Sequence, residues 1–299
     1  MDLPPPAPDF FDVEQMLERS QPRPRGGWLW MAMGGFLLIV VVSAFASSRS
    51  PAVSAAVDLL AKLAMVALMA GIAVATSVMV KKQREEVRQL EALEELIQLR
   101  RWPEAAGLAR ELLWQPTRTP QARAQALILL AGILARYQRF EDAIRVHSHL
   151  LETIRFDDST AHGIRLGRAM AMLREDHLVD ADGAISELRR TSPNRDSAGL
   201  ALIQLYRDVK TGHPNEAVEH FDAALPLFRQ QLGHRTGDAY GLLAKAYDML
   251  GRTDEARLAY EKATLLTPAS ELNRRYPEVA TLAARYAAAP APAELGVAA

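Results

Sequence analysis

Residues 238–268 read DAYGLLAKAYDMLGRTDEARLAYEKATLLTP, and this stretch decides the fold of the chain. Apolar and aromatic residues recur at helical spacing on both sides of Gly251, which indicates two short antiparallel helices joined by a turn. The small Ala256 stands where two such helices cross most closely. One helix pair cannot bury both of its faces, so neighbouring copies must complete the core.

The stretch resembles a tetratricopeptide repeat. The positions that carry the family's pattern here are Tyr240, Leu243, Ala244, Tyr247, Gly251, Ala256, Tyr260, Ala263 and Pro268. Two of them depart mildly from the pattern, because Tyr240 stands where Trp is usual and Ala244 stands where Gly is usual.

Four further copies are indicated by a small residue that opens the second helix of each pair. These residues, with the last repeat included, are Ala105, Ala143, Ala184, Ala217 and Ala256. Their spacings are 38, 41, 33 and 39 residues, against 34 in the family. The uneven spacing predicts lengthened turns, notably over residues 174–183. We therefore predict an all-α solenoid of about five helix pairs over residues 81–287, with a final capping helix at residues 276–286.

Two apolar runs precede the repeats and predict transmembrane helices over residues 28–46 and 63–80. Residues 47–62 then form a short external link and the start of the second helix. Basic residues flank the pair on its outer sides, so we expect both termini in the cytoplasm and a multi-pass protein of the inner (plasma) membrane. Alternatively, the Ala44-Phe45-Ala46 pattern is a signal-peptidase site with cleavage after Ala46. The repeats stay inside in either case.

The second span continues without Pro or Gly to about Arg101, with Val87, Leu90 and Leu93 at helical spacing. This stripe predicts packing against the repeats, and a coiled-coil dimer over residues 81–101 is the alternative. Small residues also follow one face of the second span, which would allow either a homo-oligomer or contact with the first span. They are Ala64, Ala67, Gly71 and Ala75.

The two ends differ in composition from the rest of the chain. Residues 1–27 form a Pro-rich cytoplasmic segment, and Asp9 is a candidate cap for a short amphipathic patch. The patch consists of Phe10, Phe11, Val13, Met16 and Leu17. We expect a tether or membrane-surface segment, with docking to another protein as the alternative. Residues 288–299 are rich in Ala and Pro and predict a disordered tail.

The family resemblance implies protein binding, because the first helices of such arrays line a concave groove. The groove positions that it implies here are Gln98, Arg136, Arg168, Tyr206, Lys210, Lys245 and Asp248. Four of them are basic and suit an acidic segment or a C-terminal carboxylate. The alternative is that these residues form an ordinary solvated surface without a binding role. We expect a non-enzymatic, membrane-anchored adaptor or scaffold for a protein or peptide partner, used in the assembly of a complex. A regulatory or sensory subunit that couples the transmembrane hairpin to the repeats is the alternative.

The amino-acid composition excludes several classes of protein function. Lys plus Arg number 35 against 36 Asp plus Glu, and a net charge of -1 argues against a nucleic-acid partner. The chain has no Cys, so thiolate metal sites and cysteine nucleophiles are excluded. His147 and His149 lie two apart and point to different faces of a helix, which predicts packing or surface residues rather than a metal site. Nucleotide-binding and hydrolase motifs are absent, and we expect no cofactor. Only six Lys beside abundant Arg and Ala suggest a bacterial coding sequence.

Overall fold

The structure is a computed structural model of the chain, and it describes residues 12–22, 34–35, 51–191 and 197–286. All regular structure within these ranges is helical, as predicted. In chain order the helices are α1 (Val13–Arg19), α2 (Pro51–Gln98), α3 (Trp102–Leu113), α4 (Pro120–Arg136), α5 (Phe140–Thr153), α6 (Asp158–Arg174), α7 (Leu178–Thr191), α8 (Ala198–Thr211), α9 (Pro214–Gln231), α10 (Thr236–Met249), α11 (Thr253–Leu266), α12 (Ala269–Arg275) and α13 (Ala280–Tyr286). Short 3-10 helices cover Gly233–Arg235 and Pro277–Val279. The chain divides into an N-terminal unit that ends at Ile133 and a C-terminal unit that begins at Leu134.

One turn geometry recurs five times and defines the helix pairs. The turn residues have φ between 59° and 78°, and they are Arg100, Gln138, Asp176, Gly212 and Gly251. After each of them, the next N–H donates to the carbonyl five positions earlier, over 2.9 to 3.0 Å. This is the hydrogen bond of a Schellman motif, which closes the end of one helix and releases the chain into the next. The described residues therefore contain five helix pairs, as predicted, from α2/α3 to α10/α11.

The third pair differs from its prediction. The turn occupies residues 175–177, and α7 begins at Leu178, so the fully buried Ala181 opens the second helix rather than Ala184. Ala181 lies five residues after Asp176, and the opening alanines of the other pairs stand at the same offset from their turn residues. The spacings become 38, 38, 36 and 39 residues. The predicted insertion across residues 174–183 was wrong, because a turn without Gly gave no signal in the sequence.

Helix α2 is one uninterrupted helix of 48 residues. Its part over residues 63–80 carries the second predicted span, and most of its described apolar side chains are exposed, as at Val66 (67%). Within the described ranges, one helical stretch, Met65–Gln98, is long and apolar enough to cross a membrane, and its most apolar 18 residues have a mean hydropathy of 1.6. Apart from residues 34 and 35, the first predicted span lies outside the described residues, as does the 288–299 tail. The hairpin stays a prediction.

The C-terminal end of α2, over residues 81–98, packs as the sequence predicted. Leu90 and Leu93 are buried, and this part of α2 lies against α3. Burial of these side chains within the chain leaves a shorter apolar stripe than a coiled-coil dimer needs.

The amphipathic patch at the N-terminus lies within the N-terminal unit. Asp12 rather than Asp9 caps α1, since Asp12 Oδ1 accepts a 3.0 Å hydrogen bond from the Gln15 N–H. Val13 and Met16 are buried, and α1 contacts α3. The patch is therefore neither a free tether nor a free docking motif in this structure. Asp9, Phe10 and Phe11 lie outside the described residues.

Arg123 holds the end of α1 in place. It is 5% exposed, and its guanidinium donates to the Leu17 carbonyl at 2.8 Å and to Ser20 Oγ at 3.1 Å. The last carbonyls of a helix lack partners within the helix and carry the negative end of its dipole. A cation at this position satisfies one of them, so α1 is fixed by polar contacts as well as by two apolar side chains.

Candidate functional site

The first helices of the C-terminal unit present a surface that the chain itself covers. Residues 269–286, which we call the C-terminal segment, contact side chains of α6, α8 and α10 and Arg136 at the end of α4. We call the contacted side of these helices the first-helix surface. It is the side that lines the groove in the family that the sequence resembles.

Apolar burial anchors the C-terminal segment. Four of its side chains, Leu272, Tyr276, Val279 and Leu282, are fully buried in the core of the C-terminal unit. The Tyr276 ring meets the Tyr206 ring edge-on, with centroids 5.0 Å apart and planes at 83°, a favourable aromatic geometry. Burial raises the pKa of Tyr276 to about 12, and burial together with the nearby Glu278 carboxylate raises the pKa of Tyr206. Both phenols are therefore neutral at physiological pH.

Gly241 on α10 allows the segment to approach closely. A Cβ built at Gly241 would lie 2.9 Å from Leu272 Cδ2 and 3.2 Å from Leu272 Cγ. A larger residue at position 241 would have to displace the end of the Leu272 side chain, so glycine is favoured here by packing rather than by backbone conformation.

The acidic residues of the segment, Glu271 and Glu278, contact basic side chains on the first helices. Arg136 Nη1 donates to both oxygens of Glu271 at 3.1 Å. Glu278 accepts a hydrogen bond from Tyr206 Oη at 3.2 Å and lies 3.4 Å from Lys210 Nζ. Arg136 and Lys210 are mostly buried, so these contacts are less screened by solvent than surface ion pairs.

The basic positions of the segment meet carboxylates on α10. Arg275 Nη1 donates to Asp238 Oδ1 at 2.9 Å, and Asp238 is fully buried. Arg285 pairs with Asp248. A fully buried carboxylate requires a partner, because an unpaired buried charge is strongly destabilising.

The seven predicted groove residues divide into three groups. Arg136, Tyr206, Lys210 and Asp248 all contact the C-terminal segment. Arg168 pairs with Glu187 at 3.0 Å, and Lys245 pairs with Asp248 of its own helix at 3.2 Å. Gln98 is exposed in the N-terminal unit.

The predicted capping helix is present, as a 3-10 turn that runs directly into a short α-helix. The chain over residues 276–286 forms a 3-10 turn and the short α13. With α12 it reaches back as far as Arg136, which lies 135 positions before Glu271. Sequence reasoning missed Arg174, whose guanidinium lies 5.7 Å from the centre of the Tyr276 ring. It also did not predict that Asp238 is buried and paired with Arg275. The available signal was the set of charges at Glu271, Arg275, Glu278 and Arg285, each of which meets a residue of opposite sign on a first helix.

No group of His, Asp and Glu in the described residues has the arrangement of a metal site. His147 packs against α6 at Gly167, where a Cβ would lie 2.8 Å from His147 Nε2. Burial, with a smaller contribution from Arg168, lowers the pKa of His147 to about 4. His147 is therefore a neutral packing residue, as the sequence predicted.

The repeat geometry agrees with a match to a known family model. Residues 209–264 match the tetratricopeptide repeat model. The match begins near the end of α8 and includes every signature position from Tyr240 to Ala263, leaving out only Pro268. Repeats of this family generally mediate protein–protein interactions, and their stacking creates extended binding surfaces. No curated protein sequence matches the chain.

Proposed function

We propose that the protein is a non-enzymatic adaptor that holds a tetratricopeptide-type binding surface at the cytoplasmic face of a membrane. One observation carries the proposal: α2 joins an exposed apolar stretch to the packed repeats without a break. A helix of 48 residues is about 72 Å long at 1.5 Å per residue, far longer than the hydrocarbon core of about 30 Å. The same helix can therefore cross a membrane and form the first helix of the repeat array.

The position of α1 supports a hairpin of two spans. Residues 12–22, before the first apolar run, pack in one unit with the residues that follow the second run. If residues 63–80 cross a membrane, the chain must cross it once more between residues 23 and 62 to return α1 to the same side. The uncharged run at 28–46 has the length for that crossing.

Single cysteines test this topology, because the chain has none of its own. We expect Ser48→Cys in intact cells to react with a membrane-impermeant maleimide. Val179→Cys, at a position that is 86% exposed on α7, should react only after the membrane is permeabilised. Labelling of Val179→Cys in intact cells would place the repeats outside and contradict the proposal.

Partner capture tests the adaptor role. Arg168→Glu combined with Lys245→Glu changes two predicted groove residues whose ion pairs do not include the C-terminal segment. Affinity purification of the full chain in detergent should lose its partner with this variant. Arg257→Glu, on the second helix of the last pair, is the matched control and should keep it. The same proteins on both variants would remove these positions from the binding surface.

The uninterrupted α2 also favours a second candidate function, a sensory subunit that transmits a change in the membrane to the repeats. Exchanging residues 23–80 for an unrelated two-span anchor distinguishes an adaptor from a sensory subunit. Residues 1–22 are kept, because α1 packs in the N-terminal unit. An adaptor retains its partner and its cellular effect after the exchange, whereas a sensor loses its response.

A further inference from the structure

The C-terminal segment has the features of a bound ligand. Its two helices, α12 and α13, have seven residues each, too few to be stable in water without the surface beneath them. Its charged side chains meet partners on first helices that are 37 to 135 positions away in sequence. Residues 269–286 therefore owe their structure to the first-helix surface rather than to their own sequence.

The fit of the segment is incomplete at its centre. Tyr276 is fully buried, yet its hydroxyl has no hydrogen-bond partner among the described residues. A buried hydroxyl without a partner weakens docking by the free energy needed to remove it from water. A competing segment with an aromatic ring and no hydroxyl at this position would dock more tightly.

We propose that the C-terminal segment is a displaceable occupant of the first-helix surface, and that the partner supplies a helical segment of the same chemistry. That segment carries an aromatic residue, a carboxylate five positions before it and a second carboxylate two positions after it, as at Tyr276, Glu271 and Glu278. The aromatic ring fills the site beside Tyr206, and the carboxylates meet Arg136 and Lys210. The inference rests on the proposed function for the existence of a partner, and it adds the partner's chemistry and the competition with the chain's own end.

A labelled synthetic peptide of residues 268–286 tests the proposal with the full chain in detergent, by fluorescence anisotropy. Glu271→Lys with Glu278→Lys weakens the chain's own segment and leaves the surface unchanged, so this variant should bind the peptide at least about tenfold more tightly than wild type. Glu261→Lys, at an exposed position of α11, is the control and should match wild type. A peptide with Tyr276→Phe should bind at least about fivefold more tightly than the parent peptide.

A disulfide lock provides a second variant that does not depend on weakening the segment. The 3.2 Å between a Cβ at position 241 and Leu272 Cγ suits a disulfide between Gly241→Cys and Leu272→Cys. The oxidised protein should bind no peptide, and dithiothreitol should restore binding. Equal binding by the oxidised and reduced forms would place the peptide elsewhere and overturn the proposal.

Two further outcomes overturn it. One is equal affinity of wild type and the Glu271→Lys, Glu278→Lys variant for the peptide. The other is loss of repeat helicity in that variant by circular dichroism, since a segment that the repeats need in order to fold cannot leave. Neither outcome changes the partner-capture experiment, because it uses no peptide and other positions. Failure of this inference is therefore distinguishable from failure of the adaptor role.

Discussion

The two ends of the described chain both fold onto helical repeats, but they do so by different chemistry. Helix α1 buries two apolar side chains, Val13 and Met16, and a buried arginine binds its last turn. The C-terminal segment buries four apolar side chains and adds ion pairs to several first helices. The comparison teaches that a few polar contacts, chiefly those of Arg123, hold the end of α1. The C-terminal segment depends instead on one aromatic anchor with many weaker contacts around it.

Removal of the aromatic anchor should have the largest effect. We expect Tyr276→Ala to lower the free energy of unfolding by about 3 kcal/mol, because it deletes a fully buried ring. Urea unfolding of the full chain in detergent, followed by circular dichroism, measures the loss. Arg285→Ala removes an exposed charge and should change stability by less than about 0.5 kcal/mol. Similar losses for the two variants would mean that the segment has no central anchor.

Acidification should weaken the repeats themselves rather than either end. The pKa of His147 is lowered to about 4 in the folded protein, against about 6.5 in the unfolded chain. The unfolded state therefore binds a proton first as the pH falls, and stability should decrease by about 2 to 3 kcal/mol between pH 6.5 and pH 4. Above about pH 7.5 the His147 contribution is constant, because the unfolded chain then no longer binds the proton. His147→Leu should remove this part of the pH dependence, and an unchanged profile in that variant would contradict the assignment.

Loss of the buried arginine should release α1. We expect Arg123→Ala to cost about 2 kcal/mol, since hydrogen bonds to a buried charged group are lost. Limited proteolysis should then cut within residues 12–22, which we expect to resist cleavage in the wild type. Arg88→Ala, exposed on α2, is the matched control. Equal protection of residues 12–22 in both variants would show that apolar burial alone holds α1.

Substitutions in the repeat turns should have the smallest effect on stability. Gln138 is exposed and has φ 61°, a conformation that disfavours residues with a Cβ. Gln138→Gly should stabilise the protein by about 0.5 to 1 kcal/mol, whereas Gly251→Ala should destabilise it by a similar amount. Thermal unfolding of the two variants checks the pair, and a loss of stability in Gln138→Gly would contradict the shared turn geometry.

The same turns show how far sequence reasoning reaches. Gly212 and Gly251 carry a left-handed turn signal, and the repeats around them were predicted with correct registration. Asp176 adopts the same conformation without that signal, so the third repeat was placed one helical turn late, at Ala184 instead of Ala181. The turns at Arg100 and Gln138 also lack Gly, yet Ala105 and Ala143 were placed correctly. Local patterns therefore predict helices and the number of pairs, but the register can slip by one helical turn where Gly does not mark the turn.

The sequence was less informative about the site, because long-range contacts leave no local pattern. Four of the seven predicted groove residues contact the C-terminal segment, yet nothing near Glu271 indicates that it would meet Arg136. The amphipathic patch at Met16 was visible, but the buried arginine that receives it lies more than 100 positions later. Fold-back of both ends could be found only by comparing charges and apolar residues across the whole chain.

Hydrogen exchange in the wild-type chain tests the central claim most directly. A displaceable segment opens without unfolding the helices below it, so amides of residues 272–282 should exchange at least about tenfold faster than the slowest amides of α8 and α10. In the oxidised Gly241→Cys, Leu272→Cys variant, the two sets should exchange at similar rates. Equal exchange of both sets in the wild type would mean that the segment leaves the surface only when the repeats unfold, and it would contradict the account.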